Sequence, residues 1–451
     1  MSSVTATTTP TTSMATGGFT ETAFEAFLAT RDEPNWLIER RRQAFSRFQS
    51  TPWPTARDEE WRRTDIRGLK LDAFALPIVQ EPSAEDQALT AASITALAAH
   101  YATGIAHVNA GLSQRADASK LGGAVFLDLA EAVKLHPELL RKHLLTDPAT
   151  VGADAISALH AAFWTGGSIL YVPKGVKVEG PLYCAVSLAG GGQVDLDHTL
   201  VILDEGAEAT LVRESTSRGR GDSAALHVGG VELFVGSGAR LRFVNIQNWD
   251  EQTWHFSRER AYVGRDAEIQ WTVGGLGSKL AKVNQDVALM GQGANAQVNG
   301  VLFTTNKQHL AYFTRQDHIA PHTTSDLLYK GGLKDRSRIV WKGMIKVEKD
   351  AQRTNAYQKD DNLILSDHAR ADSIPGLEIE ANDVRCTHGA TAGRVDEEMI
   401  FYAQARGVDR PTAIRLIVEG FFANVYDRIT LEPVQETLRQ AVADKLGNRT
   451  S

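Results

Sequence analysis

A turn, a small residue and then alternating apolar and polar positions return four times in the middle of this chain, and that return restricts its fold more than any other feature. In DEGAEATL, GSGARLRF, GRDAEIQW and GQGANAQV the leading alanines stand at positions 207, 239, 267 and 294. Successive residues of a strand point to opposite faces. The pattern therefore sends Ala207, Ala209 and Leu211, Ala239, Leu241 and Phe243, Ala267, Ile269 and Trp271, and Ala294, Ala296 and Val298 inward. Glu208, Thr210, Arg240, Arg242, Glu268, Gln270, Asn295 and Gln297 face outward. A unit of roughly 30 residues made of short strands without helices predicts rungs stacked into a continuous core. A parallel β-helix is the most economical form of such a mainly β fold. A β-sandwich also suits alternation between turns, but it does not require the same unit to come back.

Flanking sequence has a different texture. At 451 residues the chain exceeds one ordinary compact core and should divide or extend as a repeat. Residues 1–20 are Thr/Ser-rich and read as a disordered tail. Residues 21–165 read as a mainly helical N-terminal domain, with GIAHVNAGLS and GAVFLDL short enough for strands. The β-helix core is expected over 166–394 and a helical C-terminal domain over 395–451. Within the latter, Asp396 is placed to cap a helix that ends before Gly407, and Pro411 opens a second. Ile414, Ile417, Val418, Phe421, Val425 and Ile429 recur at helical spacing there. That stripe either caps the solenoid or binds a partner.

A net charge of -7 with both signs interspersed leaves no basic stripe for nucleic acid and no patch for a membrane surface. No apolar run has the length of a membrane span, and the N-terminus lacks the basic start and apolar core of a secretory signal. With only two, well-separated cysteines, a reducing cytoplasm is the expected setting. The chain holds no P-loop, no C-x-x-C and no H-E-x-x-H, and the glycines of GSGARL and GQGANA are rung turns rather than a dinucleotide fingerprint. The paired carboxylates by which many β-helices cut polysaccharides do not cluster, so a carbohydrate-active enzyme is the alternative and a chain without enzymatic activity the expectation. Asp317, His318 and His322 could assemble a metal or acid-base site but read better as a hydrogen-bonded surface turn, and the same reading covers His255 and His368.

The strongest chemical signal is LEIEANDVRCTHGATAGRVDEEMIFYAQARG, 377–407, which sets Cys386 and His388 two residues apart in strand-like sequence. Residues i and i+2 share a face, roughly 6.7 Å apart along the strand. A thiolate and an imidazole so held make a two-toothed ligand for a soft metal. Cys184, in the apolar run PLYCAVSL, reads as a buried, inert thiol. Two cysteines cannot supply the four thiolates that ordinarily hold an iron-sulfur cluster, so any cluster here is shared or passing through.

The stretch from YKGGLKDRSRIVWKGMIKVEKD through CTHGATAGRVDEEMIFYAQARGV closely resembles the SufB/SufD family of iron-sulfur cluster assembly proteins, and EEWRRT at 59–64 is similar to its D-type N-terminal signature. The resemblance favours the D-type. The B-type carries a cysteine where this chain has Lys359 and a glutamate after the motif histidine, where it has Gly389. Asp383, Val384, Cys386, His388, Gly389, Ala390 and Thr391 meet the D-type pattern in full. The resemblance implies a right-handed parallel β-helix between helical domains, a scaffold that pairs with the B-type paralogue through the end of the β-helix and binds the ABC-type ATPase SufC through the C-terminal helices. It further implies that Cys386 and His388 contribute to iron acquisition or to a transient cluster at the subunit interface. The helix bearing Phe421 and Phe422, with Ile414, Ile417, Val418 and Val425, is the candidate ATPase-docking element. A homodimer in the partner's absence and a purely structural family member without ligands are further expectations. The participation of reduced flavin in the complex stays open.

Overall fold

The structure, a computed structural model, describes residues 18–74, 100–109, 111–189, 194–218 and 224–447. Most of the expected tail, 1–17, lies outside the described residues. Its last residues are anchored: Thr20 caps the helix Glu21–Ala29, and Phe19 packs edge-on against Phe163.

Two long sheets run side by side as a parallel β-solenoid. One stacks Gly111–Gln114, Thr103–Val108, Leu182–Ala189, Glu208–Arg218, Arg240–Asn248, Glu268–Gly275, Asn295–Thr304, Thr324–Leu333, Asn355–Ile364 and Arg385–Arg394. The other stacks Val125–Asp128, Gly166–Val172, Asp197–Leu203, Ala225–Val235, Thr253–Val263, Leu280–Leu289, His309–His318, Arg338–Val347 and Arg370–Ile379, with Val194–Asp195 beside Ala225–Val235. Successive strands alternate between the sheets, so each turn of the chain gives one strand to each. Among the described residues, only the pairs at the N-terminal end, Thr103–Val108 with Gly111–Gln114 and Val125–Asp128 with Gly166–Val172, are antiparallel. Strands placed by sequence in the N-terminal domain thus extend both sheets.

The repeated unit behaves as its alternation predicts. Glu208, Arg240, Glu268, Asn295, Thr324, Asn355 and Arg385 are register partners up one sheet. All twelve inward residues named above are buried in one continuous core, where Trp271 and Trp341 are fully enclosed. The recurring turn has a backbone cause. The residue before each alanine, Gly206, Gly238, Asp266 or Gly293, has φ between 52° and 76°. Glycine takes that left-handed conformation without penalty and aspartate at small cost. A small side chain then starts the next strand beneath the turn.

Helices cover the outer faces. The N-terminal helices Glu21–Ala29, Asn35–Ser50 and Ala155–Phe163 bury Phe24, Phe45 and Phe163 in one cluster with Leu200, Leu226 and Phe256 of the second sheet. The EEWRRT segment docks further along this face: Trp61 is buried near Phe256, and Glu59 and Glu60 accept hydrogen bonds from Lys342 Nζ at 2.9 and 2.8 Å. The C-terminal helices Arg410–Tyr426 and Glu432–Leu446 pack on Val244, Ile246, Val301 and Phe303 of the first sheet. No helix among the described residues is long and apolar enough to cross a membrane.

Candidate functional site at the open end of the solenoid

Both sheets stop at an uncovered edge. No strand among the described residues pairs beyond Arg370–Ile379 or Arg385–Arg394, and most of their residues are half-buried or exposed. Pro375 marks such an edge, because proline cannot donate to a ladder. Arg370 N–H bonds Ser337 O and Glu380 N–H bonds Val347 O, so even-numbered residues face the inner neighbour and the missing N–H of Pro375 falls on the outer side.

Cys386 and His388 stand on this terminal coil. In parallel register Cys386 lies beside Ala356 and His388 beside Gln358, and both of those neighbours are buried on the lumen side. Cys386 packs against the cluster of Ile345, Val347, Ala351 and Ala356. The pair therefore shares one face, as their spacing requires, and that face is the mouth of the solenoid. Cys386 is half-buried and His388 exposed. Burial pushes the Cys386 thiol up, opposed by a hydrogen bond from the Ala356 backbone. A soft metal arriving here must displace that proton.

The lumen under the pair is lined with acceptors. Gln358 Nε2 donates to Gly376 O at 3.0 Å, and Asp360 Oδ2 accepts from Ser373 Oγ at 2.5 Å and Asn362 Nδ2 at 2.6 Å. Burial pushes the Asp360 carboxyl up to about 7. Gln358 Oε1, Asp360 Oδ1 and Asn362 Oδ1 have no partner. Yet Cys386 and His388 belong to no converging group of three His, Cys, Asp or Glu ligand atoms among the described residues. This chain offers two teeth of a site and leaves the rest to come from elsewhere. Lys359 and Gly389, the two departures from the B-type pattern, are register partners of each other, with Lys359 Nζ held at 2.9 Å by Asp361.

The C-terminal stripe has a different placement. Val418, Phe422 and Val425 are wholly buried against the solenoid, and Ile414, Ile417 and Phe421 are half-buried in the same cluster. Lys330 Nζ donates to Phe421 O at 2.7 Å and lies over its ring. The exposed apolar residues of this region are Met399, Phe401, Tyr402 and Leu416, at 58, 73, 62 and 50% exposure. Sequence spacing found the stripe but not what it covers. Asp317 and His318 end the strand His309–His318 and are buried, His318 bonded to Thr323 and Ser325 and Asp317 paired with Arg315, while only His322 stands exposed in the turn that follows. Cys184 is buried, 3.5 Å from Ser168 Oγ. Unforeseen from sequence is a polar group inside the N-terminal coils, where Asp195, Asp197, Arg213, His227 and His255 are all buried.

Comparison with known proteins identifies the architecture. Residues 186–421 match the family described as SUF system FeS cluster assembly, SufBD core domain, and residues 24–184 match the SufBD protein N-terminal region. The iron-sulfur cluster assembly protein SufD of Bacillus subtilis is 27% identical over 426 residues, covering 94% of this chain and 97% of the relative. SufB of the same organism is 27% identical over 446 residues, covering 94 and 92%. A SufBD family protein of Staphylococcus saprophyticus is 27% identical over 445 residues, with the same coverage. Overall identity does not separate the two types, but the core match spans more than half of the chain, and the chain belongs to the SufBD family of iron-sulfur cluster assembly proteins.

Proposed function

We propose that this chain is the D-type scaffold subunit of a SUF-type complex, supplying Cys386 as thiolate and His388 as neutral imidazole to iron or to a transient cluster shared with a B-type paralogue. The observation that carries the reading is the placement of both side chains at the mouth of a solenoid whose last two strand edges are unpaired. An open edge is a template for another strand. A paralogue pairing there would bring its own ligands against these two, and a homodimer would use the same edge in its absence. The D-type pattern around Cys386, with Lys359 and Gly389 in place of the B-type residues, supports the assignment of type.

The ATPase SufC is proposed to dock on the C-terminal helices through Met399, Phe401, Tyr402 and Leu416, above the half-buried Ile414, Ile417 and Phe421. Val418, Phe422 and Val425 serve this face from beneath by fixing the helix to the sheet. ATP-driven movement would open or close the mouth only if the ATPase contacts differ between the two states. Chemistry on this chain is confined to ligation, a cytoplasmic setting suits it, and no residue is assigned to flavin.

The test is iron and acid-labile sulfide in the purified B-type, ATPase and D-type complex, wild type against the Cys386→Ala plus His388→Ala double variant at matched stoichiometry. Loss of iron from an intact complex is the expected result. Unchanged iron and sulfide would leave a purely structural subunit.

A further inference from the structure

Within the first parallel turns of the solenoid, far along the sheets from the open mouth, Asp195, Asp197 and His227 bring one ligand atom each within 4.8 Å of one another. Their exposures are 1, 3 and 0%. Neither oxygen of Asp195 has a hydrogen-bond partner among the described residues. A buried carboxylate without hydrogen bonds or a counter-charge is among the most costly groups a fold can hold. Asp197 differs, accepting from Arg213 Nη2 at 2.7 Å through Oδ2 and contacting His227 Nε2 at 2.8 Å through Oδ1.

A third acid extends this interior group. Arg213 donates to Asn245 Oδ1, whose amide donates to Glu259 Oε1, so a third buried carboxylate joins the group while Oε2 of Glu259 stays unpartnered. Three buried acids thus gather around one guanidinium, an arrangement that suits a bound cation.

The bonding of His227 fits the same conclusion. A carboxylate can only accept, so His227 Nε2–H donates to Asp197 Oδ1 at 2.8 Å, while its Nδ1 lies 2.8 Å from His255 Nδ1. An ion on Nε2 selects the tautomer with its proton on Nδ1, which then donates to His255 Nδ1, as the second nitrogen of ligand histidines characteristically does. Ligand atoms about 2.0–2.2 Å from a tetrahedral ion stand roughly 3.3 Å apart. His227 Nε2 and Asp197 Oδ1 need separate by only about half an ångström for an ion to replace the proton between them.

We infer that Asp195, Asp197 and His227 form an interior site for a first-row divalent metal ion, with His255 and Arg213 orienting two of the ligands. Two carboxylate oxygens and an imidazole suit Fe²⁺, Mn²⁺ or Zn²⁺ and not Cu⁺, which prefers thiolates. The site is closed by the strands around it, so the ion enters as the chain folds and leaves slowly.

The experiment is elemental analysis of the full-length chain in a Cys386→Ala plus His388→Ala background, which removes the mouth pair and makes the outcome independent of the proposed function. Purified without chelator and desalted, this chain should carry one Fe, Mn or Zn per molecule. Adding Asp195→Asn, of equal size, should lower that content at least about tenfold with an unchanged circular dichroism spectrum. His227→Gln, which keeps a donor for Asp197, should do the same and decides the matter if the first variant does not fold. A background chain without metal, or equal metal in background and folded variants, overturns the inference.

Discussion

Phe422→Ala tests whether the C-terminal apolar stripe is held by the solenoid or is free for a partner. The ring is wholly buried, with its centroid 6.4 Å from Phe303, 5.0 Å from Phe421 and 5.8 Å from Tyr426. Truncating an enclosed phenylalanine loses its transfer energy and leaves a cavity, together about 3–5 kcal/mol. The loss falls on the docking of Arg410–Tyr426 rather than on the ladders beneath, because the helix packs on the sheet along this stripe. At about 1.4 kcal/mol per tenfold, amide hydrogen exchange in 410–426 should accelerate on the order of a hundredfold to a few thousandfold. Exchange in the strand Thr253–Val263, on the other sheet, should not change. Half-buried Phe421→Ala should give a smaller effect. Acceleration of less than tenfold in Phe422→Ala would refute the view that this residue anchors the helix.

Phe401→Asp, at an exposed position, should leave thermal stability unchanged while abolishing ATPase capture in a pull-down; retained capture would move the docking face elsewhere. Burial lowers Lys282 to about 7, so the unfolded chain binds more protons than the folded one between that value and the ordinary lysine range of about 10.4, and stability rises with pH across this window. Between pH 7 and 9.5 the rise contributed by Lys282 is at most about 3 kcal/mol, and Lys282→Met should remove it from melts run at both pH values; an equal rise in the variant refutes the assignment. Arg385 N–H bonds Thr354 O and Val395 N–H bonds Ile364 O, which turns the Ala390 N–H toward the open edge. Ala390→Pro should therefore leave the monomer folded and block pairing in size-exclusion chromatography with the paralogue, whereas an intact pair would place the interface on another surface.

The rungs were legible because their inward and outward residues differ in polarity. Where helices cover the outer face this contrast disappears. Asp197–Leu203 is buried at every position, so Asp197 and His198 cannot be assigned to lumen or exterior from alternation, and the interior group around His227 escaped notice. Cys386 and His388 could be placed on one face by spacing, but which face required the register with Ala356 and Gln358. The helical stripe from Ile414 to Val425 was visible as a period. Whether a sheet of the same chain or a second protein lies on it depends on a contact more than a hundred residues away in sequence, between Phe303 and Phe422.

The two ends of the solenoid are unlike, and this bears on how many copies the proposed pairing could join. At the N-terminal end each sheet finishes in a short antiparallel strand, while at the other end, among the described residues, two long parallel strands leave their outer edges unpaired, one of them interrupted by Pro375. A stack open at both ends could add units without limit, as fibres do. A stack with a single growing face is satisfied by one neighbour presenting a like face, and addition then stops. Pairing of the proposed kind through that face would therefore end at two chains, with Cys386 and His388 projecting into the chamber between the two mouths.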